Sequence, residues 1–288
     1  MSQCTVFWKP GVLGGLILLA LASGCSADHH EEKGRQALNR HDLSTAETHF
    51  RKAIDKEAEH SGALRGLGWT YLIAGDPSLA GTTFERCIQV APENLDCLRG
   101  MASVSSSSGN QAQARTYLEQ ALKLAPADPD VLNSLTLLDL VQGEVDRAAA
   151  QAAALVRDYP SRGEFRLNLA EAYLRQEKAR EALEVVDAGL EMGSLAIRYR
   201  AMLLQLRART LVAITRARID QHRCAETVPP VMAYLDEASL ALDEAEATGV
   251  QLPDLATVRR VLLRRRTAVE DRCPQAEWIQ KDAVPASE

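Results

Sequence analysis

Apolar and small residues return along this chain at an interval of 34 positions. Alanine stands at 46, 80, 114, 148 and 182, glycine at 75, 109 and 143, and proline at 92, 126 and 160. Four positions beyond the alanines come Phe50, Phe84, Leu118, Ala152 and Val186. Earlier in each period Leu64, Leu98 and Leu132 recur, as do Leu67, Met101, Leu135 and Leu169. Glycine permits a tight reversal and proline stops a helix, so each period predicts two helices joined by a turn. The register places units at 27–60, 61–94, 95–128, 129–162 and 163–196. The first is degenerate, with His30 where leucine recurs and no closing proline. The fifth has Glu177 where glycine is expected and Ser194 where proline is, so its turn and exit are less defined.

After 196 the register breaks. Ile197 to His222 contains neither Pro nor Gly and predicts one long helix, followed by a linker that ends at Val228-Pro229-Pro230. A further helix, Val231 to Thr248, carries Ala238, Leu242 and Ala245 at the spacing of a repeat's second helix. Gly249 and Pro253 close it, and Asp254 is expected to cap a last helix to about Asp271. Residues 197–273 thus read as an expanded sixth unit with a capping helix, and 274–288 as a flexible tail in which Trp278 is a candidate anchor. Ser105-Ser106-Ser107-Ser108 is expected to fray the end of one first helix.

Gly68-Trp69-Thr70-Tyr71, Gly75-Asp76, Ala80, Phe84 and Pro92, repeated in register, resemble the tetratricopeptide repeat (TPR). That resemblance implies an all-α fold, a right-handed superhelical α-solenoid of antiparallel helix pairs. No pair buries its apolar face alone, so stacking supplies the core. In the family, certain first-helix positions line a concave groove that holds a peptide or helix of a protein partner. Carried over by register, they are Arg65, Trp69, Leu72 and Ile73, then Arg99, Ser103 and Ser106. They continue with Asn133, Leu137, Leu140 and Val141, and with Leu167, Glu171, Leu174 and Arg175. The expected groove is apolar with basic points. It lacks the Lys/Asn carboxylate clamp of cytosolic chaperone-binding TPRs.

The N-terminus reads as an address. Lys9 precedes an apolar run, Val12 to Ala22, far short of the roughly 20 residues of a membrane span but suited to a secretory signal. It ends in Leu21-Ala22-Ser23-Gly24-Cys25, which resembles a bacterial lipobox with Ala22 where leucine is favoured. The resemblance implies that 1–24 is cleaved and that Cys25 is lipidated; an ordinary signal peptide with an incidental Cys25 is the other reading. Ser26 in place of aspartate implies the periplasmic face of the outer membrane. Only about four residues would separate Cys25 from the first helical position.

Composition adds limits. The chain holds 44 Ala and 39 Leu with 5% aromatic residues, which favours helices over sheets. A net charge of −6 argues against nucleic acid as a partner. Beyond Cys4 and Cys25 four cysteines remain, and three pairings are open. In an oxidising compartment the repeat topology selects Cys87–Cys97 and Cys224–Cys273, with Cys87 as merely a small buried residue the alternative. Arg259-Arg260 and Arg264-Arg265-Arg266 have three competing roles: contact with lipid headgroups, docking of a partner, or pairing with Asp236, Glu237, Asp243 and Glu244.

No nucleophile elbow, phosphate loop or zinc-ligand spacing occurs. His29-His30-Glu31-Glu32 has groups that could hold a stray metal ion, but it reads as a solvated helix start, so neither a metal nor a cofactor nor an enzymatic activity is expected. The combined reading is a lipid-anchored periplasmic adaptor. It resembles the pilotin lipoproteins of type IV pili and the TPR lipoproteins of Flp/Tad systems. An adaptor for cell-wall hydrolases or envelope proteolysis is the alternative, and an enzyme or small-ligand binder the remote one.

Overall fold

Most helices in the first half of this chain begin where a side chain can occupy an orphan backbone N–H. Asp42 accepts from the Thr45 amide at 3.1 Å, His60 Nδ1 from Ala63 at 3.1 Å, and Asp76 from Leu79 at 2.9 Å. Asn94, Asn110 and Asp128 do the same for the amides of Cys97, Gln113 and Val131. Pro77 follows its cap at the first helical position, where a missing N–H costs nothing. The computed structural model describes residues 14–193, 195–215 and 224–273, with the backbone alone for 14–25 and 225. Among the described residues there are thirteen helices and no strand, and no helix is long and apolar enough to cross a membrane.

Two compact units form, Met1–Leu138 and Asp139–Glu288. The first contains α1 (Gly14–Asn39), α2 (Leu43–Lys56), α3 (Ser61–Ala74), α4 (Pro77–Val90), α5 (Leu95–Ser107), α6 (Gln111–Leu124) and most of α7 (Pro129–Gln142). Consecutive helices pack on one another from α1 to α6, and α1 also touches α3, as α3 touches α5. Helix α1 is unbroken through residue 25, so the backbone shows no spacer before the first helix pair.

Phe50 and Phe84 are fully buried here, and glycines make room for them. A Cβ on Gly34 or Gly66 would lie 2.7 or 2.3 Å from the Phe50 ring. On Gly68 or Gly100 it would lie 2.6 or 2.4 Å from that of Phe84. In the next period a smaller Leu118 clusters with Ala102 and Ala114 instead. Volume is conserved while the individual residues change, as close packing demands.

The second unit continues with α8 (Val145–Asp158), α9 (Gly163–Arg175), α10 (Ala179–Leu190), α11 (Ile197–Ile214), α12 (Cys224–Ala247) and α13 (Leu255–Arg272). Its largest core joins Leu204, Leu211, Val228, Leu235, Leu242 and Val269 from α11, α12 and α13. Helices α8 to α11 have no side-chain cap at all. Asp139, wholly buried, is instead held by Arg147 through two bonds of 2.7 and 2.6 Å.

The reversal inside each helix pair repeats with the sequence. His41, Gly75, Gly109, Gly143 and Glu177, spaced 34 apart, all have left-handed φ of 63, 85, 81, 80 and 62°. Glu177 therefore makes the turn that its side chain disfavours, because Glu177 N–H and Lys178 N–H bond back to Leu174 and Tyr173 as Gly75 and Asp76 do to Leu72 and Tyr71.

Four expectations need correction. The long helix ends at Ile214 rather than His222, with the Thr215 hydroxyl donating to the Val212 carbonyl at 2.7 Å; residues 216–223 lie outside the described residues. Pro229 and Pro230 sit inside α12, not in a linker. Their fixed φ suits a helix, and the burial of Val228 and Leu235 retains the segment despite two missing donors. Asp254 precedes α13 with a left-handed φ of 66° and makes no side-chain cap. Finally, α5 does not fray at its serines: it runs to Ser107, whose hydroxyl bonds to the Val104 carbonyl at 2.8 Å. Residues 1–13 of the signal segment, the side chains of 14–25 with Cys25 among them, and the tail with Trp278 lie outside the described residues.

Candidate functional site

In the first unit the expected groove residues fall along the first helices α3, α5 and α7, and they are more charged than the sequence suggested. Arg65 lies between Glu31 and Asp96, 3.5 Å from each. Arg99 binds Asp96 at 2.7 Å, approaches Asp130 at 4.0 Å and donates to the Ser134 hydroxyl at 3.2 Å. The basic points are thereby neutralised in a ladder running from α1 to α7. Glu31, Arg65 and Arg99 are 34 apart, as are Asp96 and Asp130, so the period held the signal for this ladder.

Trp69 is half-buried. Its indole meets Phe84 edge-on at 5.5 Å and carries the Arg99 guanidinium above it at 5.8 Å, a cation–π contact of about 0.5–1 kcal/mol. Leu72 packs against the same core and Ile73, Ser103, Ser106 and Asn133 are half-buried, whereas Leu137 is 45% exposed.

In the second unit Leu140 is not a groove residue: it is 3% exposed and packs with Ala148, Ala149 and Ala172. Register alone placed it outward, but the next small residues of α8 and α9 leave it nowhere to point but inward. Val141 is exposed. Leu167 packs on the Ala170 and Val186 cluster. Glu171 takes Arg209 at 2.8 Å and Arg175 at 3.1 Å. Burial pushes its carboxyl up, but the two guanidinium partners outweigh that and hold it below the usual carboxylate range.

Above this pair opens a cleft of about 760 Å³ among α9, α11 and α13, with Leu174, Val212, Val258 and Val261 as apolar wall and Gln205 and Asp254 at its polar rim. Sequence reasoning missed Arg209, Val212 and Val261, because they lie beyond the broken register.

The structure holds both disulfides, Cys87–Cys97 beside the connection at Pro92 and Cys224–Cys273 joining the start of α12 to the end of α13. The arginine cluster of α13 pairs with α12: Arg259 with Asp243 and Glu246 at 2.9 and 3.0 Å, and Arg266 with Asp236. Glu237 binds Arg207 instead. Arg265 turns inward to Thr215, while Arg260 and Arg264 are exposed. Among the described residues no group of three or more His, Cys, Asp or Glu converges on a metal-sized space. The arrangement offers recognition surfaces.

Two family models, both described as tetratricopeptide repeat, match the sequence, one over residues 32–94 and 137–197 and the other over 100–128. The chain is a tetratricopeptide repeat protein. Solved structures repeat this fold. A thermophilic TPR protein of Thermus thermophilus superposes with a TM-score of 0.57 at 22% identity, covering 65% of this chain and 98% of its own. PilW, described as a widely conserved type IV pilus biogenesis factor, gives 0.58 at 13% identity over 81% and 97%. PilF of Pseudomonas aeruginosa gives 0.55 at 17% over 78% and 99%. A search of the curated proteins finds no match. As a TPR protein the chain is a scaffold for protein–protein interaction, and its first helix α7 exposes Leu137 and Val141.

Proposed function

We propose that this TPR protein is a lipid-anchored adaptor on the periplasmic face of the outer membrane, acting in assembly of a pilus or secretion machine. Its first-helix face takes a peptide or helix of a partner. The observation that carries the binding reading is Leu137, 45% in solvent on a helix whose neighbouring leucines, Leu135 and Leu138, are buried. A leucine kept in water at the register position that Trp69 occupies two repeats earlier, with a ladder of paired charges on the same first helices, is the mixture of apolar anchor and polar frame that interfaces use.

The address rests on Leu21 to Cys25 and on Ser26. The machine is suggested by the similarity of fold to PilW and PilF. Two experiments test the reading. Trp69→Ala with Leu137→Ala should abolish recovery of a partner by pull-down, and undiminished recovery refutes the first-helix face. Cys25→Ser should move the protein to the soluble periplasm, and retention in the outer-membrane fraction refutes lipid anchoring.

A further inference from the structure

The first helix pair brings two histidines together that lie 19 residues apart. His30 on α1 and His49 on α2 face each other with their Nδ1 atoms 3.2 Å apart and ring centroids 5.4 Å apart. Both side chains are half-buried. In a tetrahedral site with metal–nitrogen bonds of about 2.0–2.1 Å, two imidazole nitrogens sit roughly 3.3–3.4 Å apart. The observed spacing matches that span without movement of either helix. One shared proton, donated by one Nδ1 to the other, also satisfies it, and a metal ion would replace that proton.

We propose that His30 and His49 form a two-histidine site for a borderline divalent transition ion such as Zn²⁺ or Cu²⁺, clamping α1 to α2. Imidazole nitrogen suits these ions, whereas Mg²⁺ and Ca²⁺ prefer oxygen. The environment favours the bare ring that ligation requires. Burial lowers the pKa of His30, assisted by His49, Lys52, His29 and Lys33. Burial likewise lowers that of His49, assisted by Lys33, Lys52 and His29. The two lysines also repel a cation, so the site is an exchangeable one of moderate affinity. Water completes the coordination.

Thermal melts of the full chain test this. A tenfold excess of ZnCl₂ over its Kd should raise Tm by roughly 3–5 °C, Cu²⁺ should act at lower concentration, and MgCl₂ should do nothing. His30→Ala and His49→Ala should each remove the shift, and His41→Ala should keep it. Where a variant folds poorly, diethyl pyrocarbonate labelling of the wild type gives an independent readout by mass spectrometry: Zn²⁺ should protect His30 and His49 and leave His41 reactive. Absence of a shift, a shift that survives both substitutions, or unprotected His30 and His49 would each overturn the site.

Discussion

The two units of this protein hold similar helices by different means. Before Leu138 most helices carry a side-chain cap and two buried phenylalanines fill glycine-lined gaps. After Asp139 the caps vanish from α8 to α11. In their place the second unit has ion pairs between helices, Arg147 on buried Asp139, Arg209 on Glu171 and Arg207 between Asp187 and Glu237, and a disulfide spanning 49 residues. Local determinants suit helices that repeat in strict register. Helices α8 to α10 lose their caps while still in register, so the change of means comes before the break after 196.

The largest test of this contrast is the disulfides. Cys224→Ala with Cys273→Ala should cost about 4 kcal/mol by loop entropy, against about 3 for Cys87→Ala with Cys97→Ala. Denaturant melts that reverse this order would show that the irregular end does not depend on its bridge. Next comes packing in the first unit. Gly100→Ala drives a methyl into the Phe84 ring and should cost about 1–3 kcal/mol. Adding Phe84→Leu should recover part of that loss, measured as coupling in a double-mutant cycle.

Caps come third. Asp76→Ala should cost about 1 kcal/mol, while Lys178→Asp supplies the cap that α10 lacks and should raise stability by up to about the same amount. Equal behaviour of the two sites would erase the distinction. The smallest effect is acid sensitivity of the second unit. The folded-state pKa of Glu171 is depressed, so its stabilisation is complete above the ordinary carboxylate value and is lost as pH falls through the folded one. Glu171→Gln should flatten the stability profile of an α9 probe below about pH 4.5.

Much of this was written in the period. Gly75, Gly109, Gly143 and the recurring alanines announce the turns and the close helix contacts, because each acts on its own backbone or on its nearest neighbour. His41 and Glu177 were opaque for the opposite reason: their left-handed backbone is imposed by the helices on either side. Pro229-Pro230 misled because two prolines usually end a helix, whereas here burial and a bridge hold one together.

At the candidate site, Trp69 and Leu137 were visible as residues of the wrong polarity for a solvated face. The ladder that neutralises Arg65 and Arg99 was overlooked although the 34-residue spacing of Glu31, Arg65 and Arg99 and of Asp96 and Asp130 carried it, because each arginine read singly is only a basic point. His30 looked like a solvated start until α2 supplied His49.

The fit between Phe50, Phe84 and their glycines has a consequence for how such a chain can be cut and joined. Each phenylalanine needs a glycine in its own helix pair and another in the next, so neighbouring repeats carry matched halves of one fitting. Leu118 clusters with Ala102 rather than glycine, a different gauge. Repeats are therefore not interchangeable beads. A duplication that carried the Phe84 pair to a place followed by Ser134, where Gly100 now stands, would meet a side chain where it needs an empty space. Lengthening this scaffold by recombination is open only at junctions where the gauges agree.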